Sequence, residues 1–305
     1  MTAAPWVALG LMLAAAPALP GIVNRTKNLL TGRRGAPVTQ LYRDLAKLWR
    51  KGTVYSRTTT AVFRVAPVLL LAATAAAACL LPLDGRSAPL TFTGDFVAFA
   101  GLLALGRFAL VLAALDTGSS FEGMGASREV FFSTLAEPTL FLSLSVLAIP
   151  AEGPSLAAIA AAVSPGAWHG LGPAILLAAA ALLVVLLAEN ARVPVDDPAT
   201  HLELTMIHEV MVLDHGGPDF AFIQYGAAMK LLVTGSLVAL PFLPSDMGAL
   251  PNAAVFLLAM LALAVAVGVI ESTMARLRLV RVPLLLLGAF VVSAIAVALA
   301  VAGRG

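Results

Sequence analysis

Long apolar runs recur along this chain and constrain its fold more than any other feature. Each run is rich in Leu, Ala and Val, and several reach the length of about 20 residues that a helix needs to cross a hydrocarbon core of roughly 30 Å. Only helices and closed barrels satisfy their backbone groups inside that core. The 305 residues are 60% hydrophobic and only 12% charged, which excludes an ordinary soluble domain. An all-α polytopic membrane protein is therefore predicted.

Eight membrane-spanning helices are predicted within a single integral membrane domain over residues 1–305. The first run lacks a basic segment before it, so it is interpreted as a retained span and not as a cleaved signal peptide. Prolines inside the spans are expected to kink them. The predicted spans cover residues 3–23, 62–83, 94–115, 130–150, 168–188, 222–244, 252–272 and 282–302.

The basic residues are distributed very unevenly between the two sets of loops. Loops 24–61, 116–129, 189–221 and 273–281 hold fourteen lysines and arginines, whereas the other side holds only Arg86 and Arg304. Because positively charged loops stay in the cytoplasm, these four loops are predicted to be cytoplasmic. Both termini are then predicted to lie outside.

An amphipathic helix is predicted in the first of these loops, within PVTQLYRDLAKLWRKG. Its apolar residues recur at helical spacing, which is typical of a helix at the membrane surface. Two compatible roles follow: a basic anchor on anionic lipid, or a platform for a cytoplasmic partner subunit. The candidate docking residues are Arg33, Arg34, Lys47, Arg50 and Lys51.

Charged residues inside the predicted spans point to an ion or proton path. Arg107 lies in the third span, Glu137 in the fourth and Lys230 in the sixth. Each cation has to reach the interface, face a cavity or pair with an acid, and Glu137 and Asp116 are available partners. Asp116 and Glu129 stand at span ends, where they are either solvated helix termini or members of the path. Similarly, Glu271 is interpreted as an interfacial acid near Arg276.

The most polar stretch of the chain runs from Glu189 to Gly217 and holds six carboxylates and three of the four histidines. Asp196 or Asp197 is expected to cap a new helix that has Pro198 at its first position. This amphipathic helix is predicted to run from Ala199 to Leu213 and to end at Gly216 and Gly217.

Metal binding by this stretch is not expected. His201, His208 and His215 recur every seven residues, which separates neighbours by about 10 Å along a helix and is too far for one ion. A zinc-protease HExxH motif also fails, because Val212 occupies the position of its second histidine. With Cys79 as its single cysteine, the chain alone builds neither a disulfide nor an iron–sulfur site.

A cluster of titratable groups at a membrane boundary remains the best interpretation of this stretch. Such groups relay protons or respond electrostatically to an event in a partner. In the alternative interpretation the acids cap helices, pair with Arg192 or hold a neighbouring subunit. The candidate path residues are Asp116, Glu129, Glu137, Glu189, Arg192, Asp196, Asp197, Glu203, His208, Glu209 and Lys230, with no catalytic residue among them.

The segment ENARVPVDDPATHLEL resembles the signature of complex I subunit 1, in which Glu-x-x-Arg-x-Pro-x-Asp-x-Pro precedes a Glu-Leu pair. The matching residues are Glu189, Arg192, Pro194, Asp196, Pro198, Glu203 and Leu204. The phrases VPVDDPATHLELTMIHE, LDTGSSFEGMGASREV, GRRGAP and LAKLWRKGTVYS resemble one branch more closely. That branch is the membrane subunit of group 4 energy-converting [NiFe]-hydrogenases, which include formate hydrogenlyase and hydrogenase-4.

The resemblance implies an eight-span subunit that holds no redox centre. It implies docking of hydrogenase-like large and small subunits, which carry [NiFe] and iron–sulfur clusters, on the cytoplasmic side. It also implies contact with lipids and with antiporter-like membrane subunits that move protons or sodium, in a bacterial or archaeal cytoplasmic membrane, and no nucleic-acid partner.

Departures from the quinone-reducing relatives count against a quinone site. Ala199 and His201 stand where complex I has further acids, and Val195 replaces an aromatic residue. Two alternatives remain open: a quinone-chamber subunit of a complex I-like dehydrogenase, and a purely structural membrane anchor. A stand-alone transporter is disfavoured because the chain shows no internal repeat.

Overall fold

The structure, a computed structural model, describes residues 4–83, 87–151, 153–163, 165–196, 206–244 and 248–303. These residues form α-helices and short 3₁₀ helices, without a strand in the part described, which confirms the all-α prediction. The α-helices are α1 (Ala4–Ala15), α2 (Ala18–Leu30), α3 (Gln40–Leu48), α4 (Ala61–Cys79), α5 (Asp95–Asp116), α6 (Ser120–Ala148), α7 (Leu156–Ala162), α8 (Pro165–Glu189), α9 (Gly217–Ala239), α10 (Ala249–Thr273) and α11 (Val282–Ala302).

Among the described residues, seven helices are each long and apolar enough to cross a membrane. Together α1 and α2 make an eighth, a pair bent by 43°. The total agrees with the predicted number of about eight, and the chain is a multi-pass membrane protein. The amphipathic surface helix is also present, as α3.

The bend between α1 and α2 follows from Pro17, which has no N–H to donate to the Leu13 carbonyl. Two tyrosine hydroxyls supply the donors that the backbone lacks around this break. Tyr225 of α9 donates to the Leu13 carbonyl at 3.0 Å, and Tyr42 of α3 donates to the Ala14 carbonyl at 2.6 Å. These bonds attach α3 and α9 to the bend.

Helix α6 begins at Ser120, well before the predicted start of the fourth span at residue 130. Most of the predicted loop 116–129 is therefore helical. The glycines and charges there suggested a loop, but Glu122, Ala126 and Glu129 are buried at helical spacing. Their shared face packs against the loop that precedes α9 and positions Glu129 for the site described below.

The helix predicted over residues 199–213 is wrong in its described part. Residues 206–213 contain only a 3₁₀ helix, Glu209–Val212, while 197–205 lie outside the described residues. The segment is bound to α6 instead of forming a free surface helix. Ile207, Val210 and Met211 are almost fully buried against their neighbours, so packing decides its conformation.

Gly217 was expected to follow a helix but is the first residue of α9, with φ at 54°. A Cβ atom on Gly217 would lie 2.8 Å from the Gly52 carbonyl oxygen and 3.0 Å from the Lys51 carbonyl oxygen. Glycine is required here both by the left-handed backbone and by this close approach. The start of α9 is thereby pressed against the segment that follows α3.

Helices α8 and α9 form the centre of the bundle, and α10 and α11 lie at its edge. In the most apolar part of each helix, 67% of α8 and 78% of α9 is buried, whereas only 28% of α10 and of α11 is buried. Helix α9 packs along α4, α8 along α6 and α11, and α10 along α2. The faces of α10 and α11 that remain exposed are apolar, as expected for lipid contact.

The connections that follow α2, α5, α8 and α10 meet at one end of the bundle, called the loop end here. Asp116 accepts hydrogen bonds from Thr60 across two of these connections. The Leu277 N–H donates to the Pro194 carbonyl at 3.0 Å, joining the other two. The polar stretch is thus held between loops and helices on several sides.

Replacing Gly125 of α6 with alanine is predicted to displace the 206–213 segment. A Cβ atom there would lie 2.9 Å from the Ile207 carbonyl oxygen and closer still to the Val210 side chain. Overpacking of this kind destabilises by about 1–3 kcal/mol. We expect a lower thermal midpoint and faster hydrogen exchange in residues 206–213.

The matched control is Gly123→Ala, two residues earlier on the same helix, where an added Cβ meets nothing within 4 Å. This control should be neutral or slightly stabilising, because alanine favours helix more than glycine does. Equal exchange rates in the two variants would contradict the close contact between α6 and the segment.

Candidate functional site

Glu189, the last residue of α8, lies between two cations from neighbouring helices. Its Oε1 is 2.6 Å from Arg107 Nη1 of α5, and its Oε2 is 2.7 Å from Lys230 Nζ of α9. All three side chains are mostly buried. A single buried charge at membrane depth is costly, and removal of one partner leaves another uncompensated. The three helices are therefore tied together at this point.

Arg107 makes a second ion pair, with Glu137 in the middle of α6. Of the two partners expected for Arg107, Glu137 is present and Asp116 is not. The Glu137 side chain is 41% exposed on the flank of the bundle, in contrast to the 10% of Glu189. The ion-pair cluster is defined here as Arg107, Glu137, Glu189 and Lys230. It extends from the interior of the bundle to that flank.

His208 lies between two carboxylates, one from α6 and one from the polar stretch. Its Nε2 is 3.1 Å from Glu129 Oε2, and its Nδ1 is 3.6 Å from Asp196 Oδ2. Both carboxylate side chains are almost completely buried. An imidazole between two acids can carry a proton from one to the other, because each ring nitrogen either binds or releases one.

Asp196 accepts hydrogen bonds from two backbone N–H groups and pairs with a cation from the loop after α10. The backbone N–H groups of Ile207 and His208 donate to its Oδ2 at 3.2 and 3.3 Å. Arg276 Nη2 lies 2.9 Å from its Oδ1. Glu129, Asp196, His208 and Arg276 are called the His208 cluster here.

The pKa values of Asp196 and His208 shift in opposite directions. Burial alone would lower the pKa of His208, but Glu129 and Asp196 outweigh burial and raise it. Burial alone would raise the pKa of Asp196, but His208 and Arg276 outweigh that and lower it. Both shifts favour the charged forms, which are a protonated His208 and an ionised Asp196.

Both clusters face one cavity of about 380 Å³, called the chamber here. Its polar lining includes Arg107, Glu129, Glu189, Arg192, His208, Glu209 and Lys230. Its other sides come from α2, α3, α4 and α9 and are mostly apolar. The chamber is therefore lined by members of both the His208 cluster and the ion-pair cluster.

Glu271 belongs to a third buried set of charges and corrects the sequence interpretation. It was assigned as an interfacial acid near Arg276, but its side chain is only 1% exposed and Arg276 pairs with Asp196. Arg192 Nη1 lies 3.3 Å from Glu271 Oε1, and Lys27 Nζ lies 3.6 Å from its Oε2. The arginine of the signature is thus attached to α10 through Glu271, which also pairs with Lys27 of α2.

The remaining candidates fall outside these clusters. Asp116 accepts hydrogen bonds from the N–H groups of Thr60 and Phe63 and from the Thr60 hydroxyl, which caps the start of α4. Glu209 begins the 3₁₀ helix and lines the chamber. Asp197 and Glu203, together with His201, lie outside the described residues.

The five basic residues proposed for docking are all exposed at the loop end. They lie on both sides of α3 and within it: Arg33, Arg34, Lys47, Arg50 and Lys51. Trp49, at the end of α3, packs edge-on against Phe222 of α9 with ring centroids 5.1 Å apart. This contact leaves the basic side chains facing outward.

Sequence reasoning missed Glu122 as a buried carboxylate, gave Lys27 only a topological role, and placed Arg276 near Glu271 instead of Asp196. Glu122 is 1% exposed and accepts a hydrogen bond from the Asp214 N–H at 3.3 Å. Its helical spacing to Glu129 was the signal that could have identified it. The long-range pairs of Lys27 and Arg276 left no comparable signal in the sequence.

The two described histidines of the polar stretch occupy different environments and do not share a helix face. His215 stacks on Phe63 of α4, with ring centroids 3.9 Å apart. Burial lowers the pKa of His215 to about 4, so it is neutral at physiological pH. Among the described residues, no three His, Cys, Asp or Glu side chains are placed to hold a metal ion.

Known proteins resemble this chain over most of its length. The family model described as NADH dehydrogenase matches residues 3–302. Hydrogenase-4 component C of Escherichia coli K12 is 32% identical over 273 residues, which cover 87% of this chain and 85% of that protein. Formate hydrogenlyase subunit 4 of the same organism is 32% identical over 282 residues, covering 90% and 91%.

A solved structure shares the fold. It is the structure of the membrane-bound sulfane sulfur reductase, an archaeal respiratory membrane complex, and one of its chains superposes with a TM-score of 0.82 at 20% identity. The match covers 97% of this chain and 99% of that one.

The multi-pass helical bundle is thus a complex I-like membrane subunit. The chain belongs to the NADH dehydrogenase family of complex I subunit 1 proteins.

His208→Gln is predicted to abolish the pH dependence of the stability of the folded 206–213 segment. A raised histidine pKa stabilises the folded segment fully below the unfolded value of 6.5, and this stabilisation is lost as pH rises through the folded pKa. The protection factor of the segment, which is its hydrogen exchange corrected for the intrinsic effect of pH, should therefore fall above pH 6.5 in the wild type but not in His208→Gln. The exposed His169 provides the control, since His169→Gln should retain the wild-type profile. A wild-type profile in His208→Gln would contradict the role given to His208.

Proposed function

We propose that this chain is the non-redox membrane subunit of a hydrogenase-type relative of complex I. In this proposal it anchors a cytoplasmic electron-transfer module and couples that module's redox reaction to proton or sodium movement through antiporter-like subunits. The observation that carries the proposal is a line of ionisable groups, from the loop end to the flank of the bundle. Its members in order are Arg276, Asp196, His208, Glu129, the chamber, Glu189, Arg107 and Glu137.

Electrostatic coupling along this line supports transmission without an electron carrier. Charge at the loop end acts first on Asp196 and Arg276, which lie 2.9 Å apart. His208 then transmits a change to Glu129, because it contacts both acids. In a medium of low dielectric constant, such contacts are much stronger than in water. A redox event in a docked partner would therefore change proton affinities inside the membrane.

The anchoring role is supported by the exposed basic residues around α3 and by the positive-inside distribution of charge. Both favour a cytoplasmic loop end and termini outside, in a bacterial or archaeal membrane. The proposed partners there are hydrogenase-like large and small subunits, in keeping with the names of the two relatives. The redox centres, [NiFe] and iron–sulfur clusters, are assigned to those partners because this chain has only Cys79.

The proposed antiporter-like partner is supported by Glu137. A carboxylate that is 41% exposed at membrane depth is unfavourable against lipid tails. A neighbouring membrane subunit that presents a hydrogen-bond donor or a water-filled surface would satisfy it. Glu137 is accordingly the proposed end of the line within this chain.

A second candidate function is a quinone-chamber subunit. It is favoured by the chamber, whose volume of about 380 Å³ falls within the range of small-molecule sites. Ala199 and His201, which replace expected acids, count against it, as does Val195. Quinone that copurifies with the complex, or turnover blocked by a quinone-site inhibitor, would favour this candidate.

Glu137→Gln and Asp196→Asn are predicted to uncouple ion movement from redox turnover. Both changes retain size and polarity but remove an ionisable group from the line. The purified complex in proteoliposomes should retain its redox turnover and lose most of its ion translocation per turnover. Wild-type translocation in both variants would contradict the proposal.

Asp116→Asn is the matched control, because Asp116 caps α4 and lies outside both clusters. It should retain translocation, with at most a small loss of stability from the altered cap. A purely structural anchor would behave differently: all three variants would then affect assembly alone and never coupling.

A further inference from the structure

A small cavity of about 20 Å³ lies next to the chamber, surrounded by α5, α6, α8 and α9. It is called the inner cavity here. Its polar lining consists of Arg107, Glu137, Glu189 and Thr234, and the rest of its lining is apolar. Arg107 and Glu189, with Leu103, line both spaces. The Arg107–Glu189 ion pair is therefore part of the partition between the chamber and the inner cavity.

This partition interrupts proton transfer along the proposed line. Arg107 contacts Glu189 on one side and Glu137 on the other, but a guanidinium retains its protons at any physiological pH. It stabilises both carboxylates without carrying a proton between them. A proton that reaches Glu189 from the chamber needs a second way to reach Glu137.

We infer that the inner cavity binds a single water molecule that connects Glu189 to Glu137 past Arg107. A water needs at least about 10–15 Å³ of such space and two to four polar partners, and the inner cavity provides room for one. Because a water both donates and accepts, it can pass a proton between two carboxylates. The inference rests on the proposed function and names the place where the proton bypasses the arginine.

Thr234 and Asn190 hold the polar side of the inner cavity in place. Asn190 Nδ2 donates both to the Leu186 carbonyl and to the Thr234 hydroxyl, each at 2.8 Å. The Thr234 hydroxyl donates in turn to the Lys230 carbonyl at 2.7 Å. One lone pair of that hydroxyl remains as an acceptor for the water. Asn190 is thus a positioning residue, because it acts through Thr234.

Ala100→Val tests the inference by filling the inner cavity without changing any charge. Ala100 lines the inner cavity and is almost fully buried, so two added methyl groups would occupy the space of the water. The control is Ala104→Val, which adds the same groups on the same helix at a half-buried position outside that lining.

In proteoliposomes with the whole complex, Ala100→Val should retain redox turnover and lose most of its proton translocation per turnover. Ala104→Val should retain both. A density map of the wild-type complex that resolves ordered water should show one water within hydrogen-bond distance of Glu137 and Glu189, and none in Ala100→Val. Normal translocation in Ala100→Val would overturn the water site.

A second pair of variants covers the case in which Ala100→Val fails to assemble. Thr234→Val has nearly the same volume but no hydroxyl, so it should lose translocation, whereas Thr234→Ser should retain it. Equal translocation in the two would overturn the inference. If Ala100→Val translocates normally while Glu137→Gln does not, the water site is wrong and the coupling function stands. If Glu137→Gln also translocates normally, the coupling function itself is wrong.

Discussion

Arg107 carries a charge that cannot be removed by deprotonation, and it lies inside an apolar bundle. Its neighbours must therefore supply negative charge, and they do so from two different helices, through Glu189 and Glu137. With Lys230 included, the ion-pair cluster contains two cations and two carboxylates. A cluster without net charge is tolerable at membrane depth. A proton added to either carboxylate would leave a net positive charge, so its uptake has to be compensated by a change nearby.

The His208 cluster shares the chamber with the ion-pair cluster, and under the proposed function it would provide that compensation. Glu129 and His208 line the same chamber as Glu189 and Lys230. The described contacts include no direct hydrogen bond or ion pair between these two pairs. Under the proposed function, small movements would open or close the gap between the two clusters more readily than they would break a direct ion pair. Asp196 and Arg276 would then extend this control to the loop end, where the basic residues are exposed.

The sequence was sufficient for the features that depend on local pattern. Apolar runs predicted the spans, and the spacing of Leu41, Leu45 and Leu48 predicted α3. It was insufficient where packing overrides local preference: residues 206–213 follow the surface of α6, and Gly123 and Gly125 belong to a helix. The charged residues of the site were identified individually, but their pairing depends on helix arrangement. Glu189, for example, meets cations that lie far from it in the chain, and no local spacing encodes that meeting.

Helix α3 is only nine residues long, yet it separates the chamber from the exposed surface of the loop end. Gln40, Leu41 and Asp44 line the chamber, while Lys47 and the arginine that follows the helix, Arg50, face outward. The Tyr42 hydroxyl also fastens α3 to the bend between α1 and α2. A protein bound to the outer face would therefore press on one side of a thin partition whose other side is the chamber. Its arrival or departure would change the size of the space in which the buried charges meet.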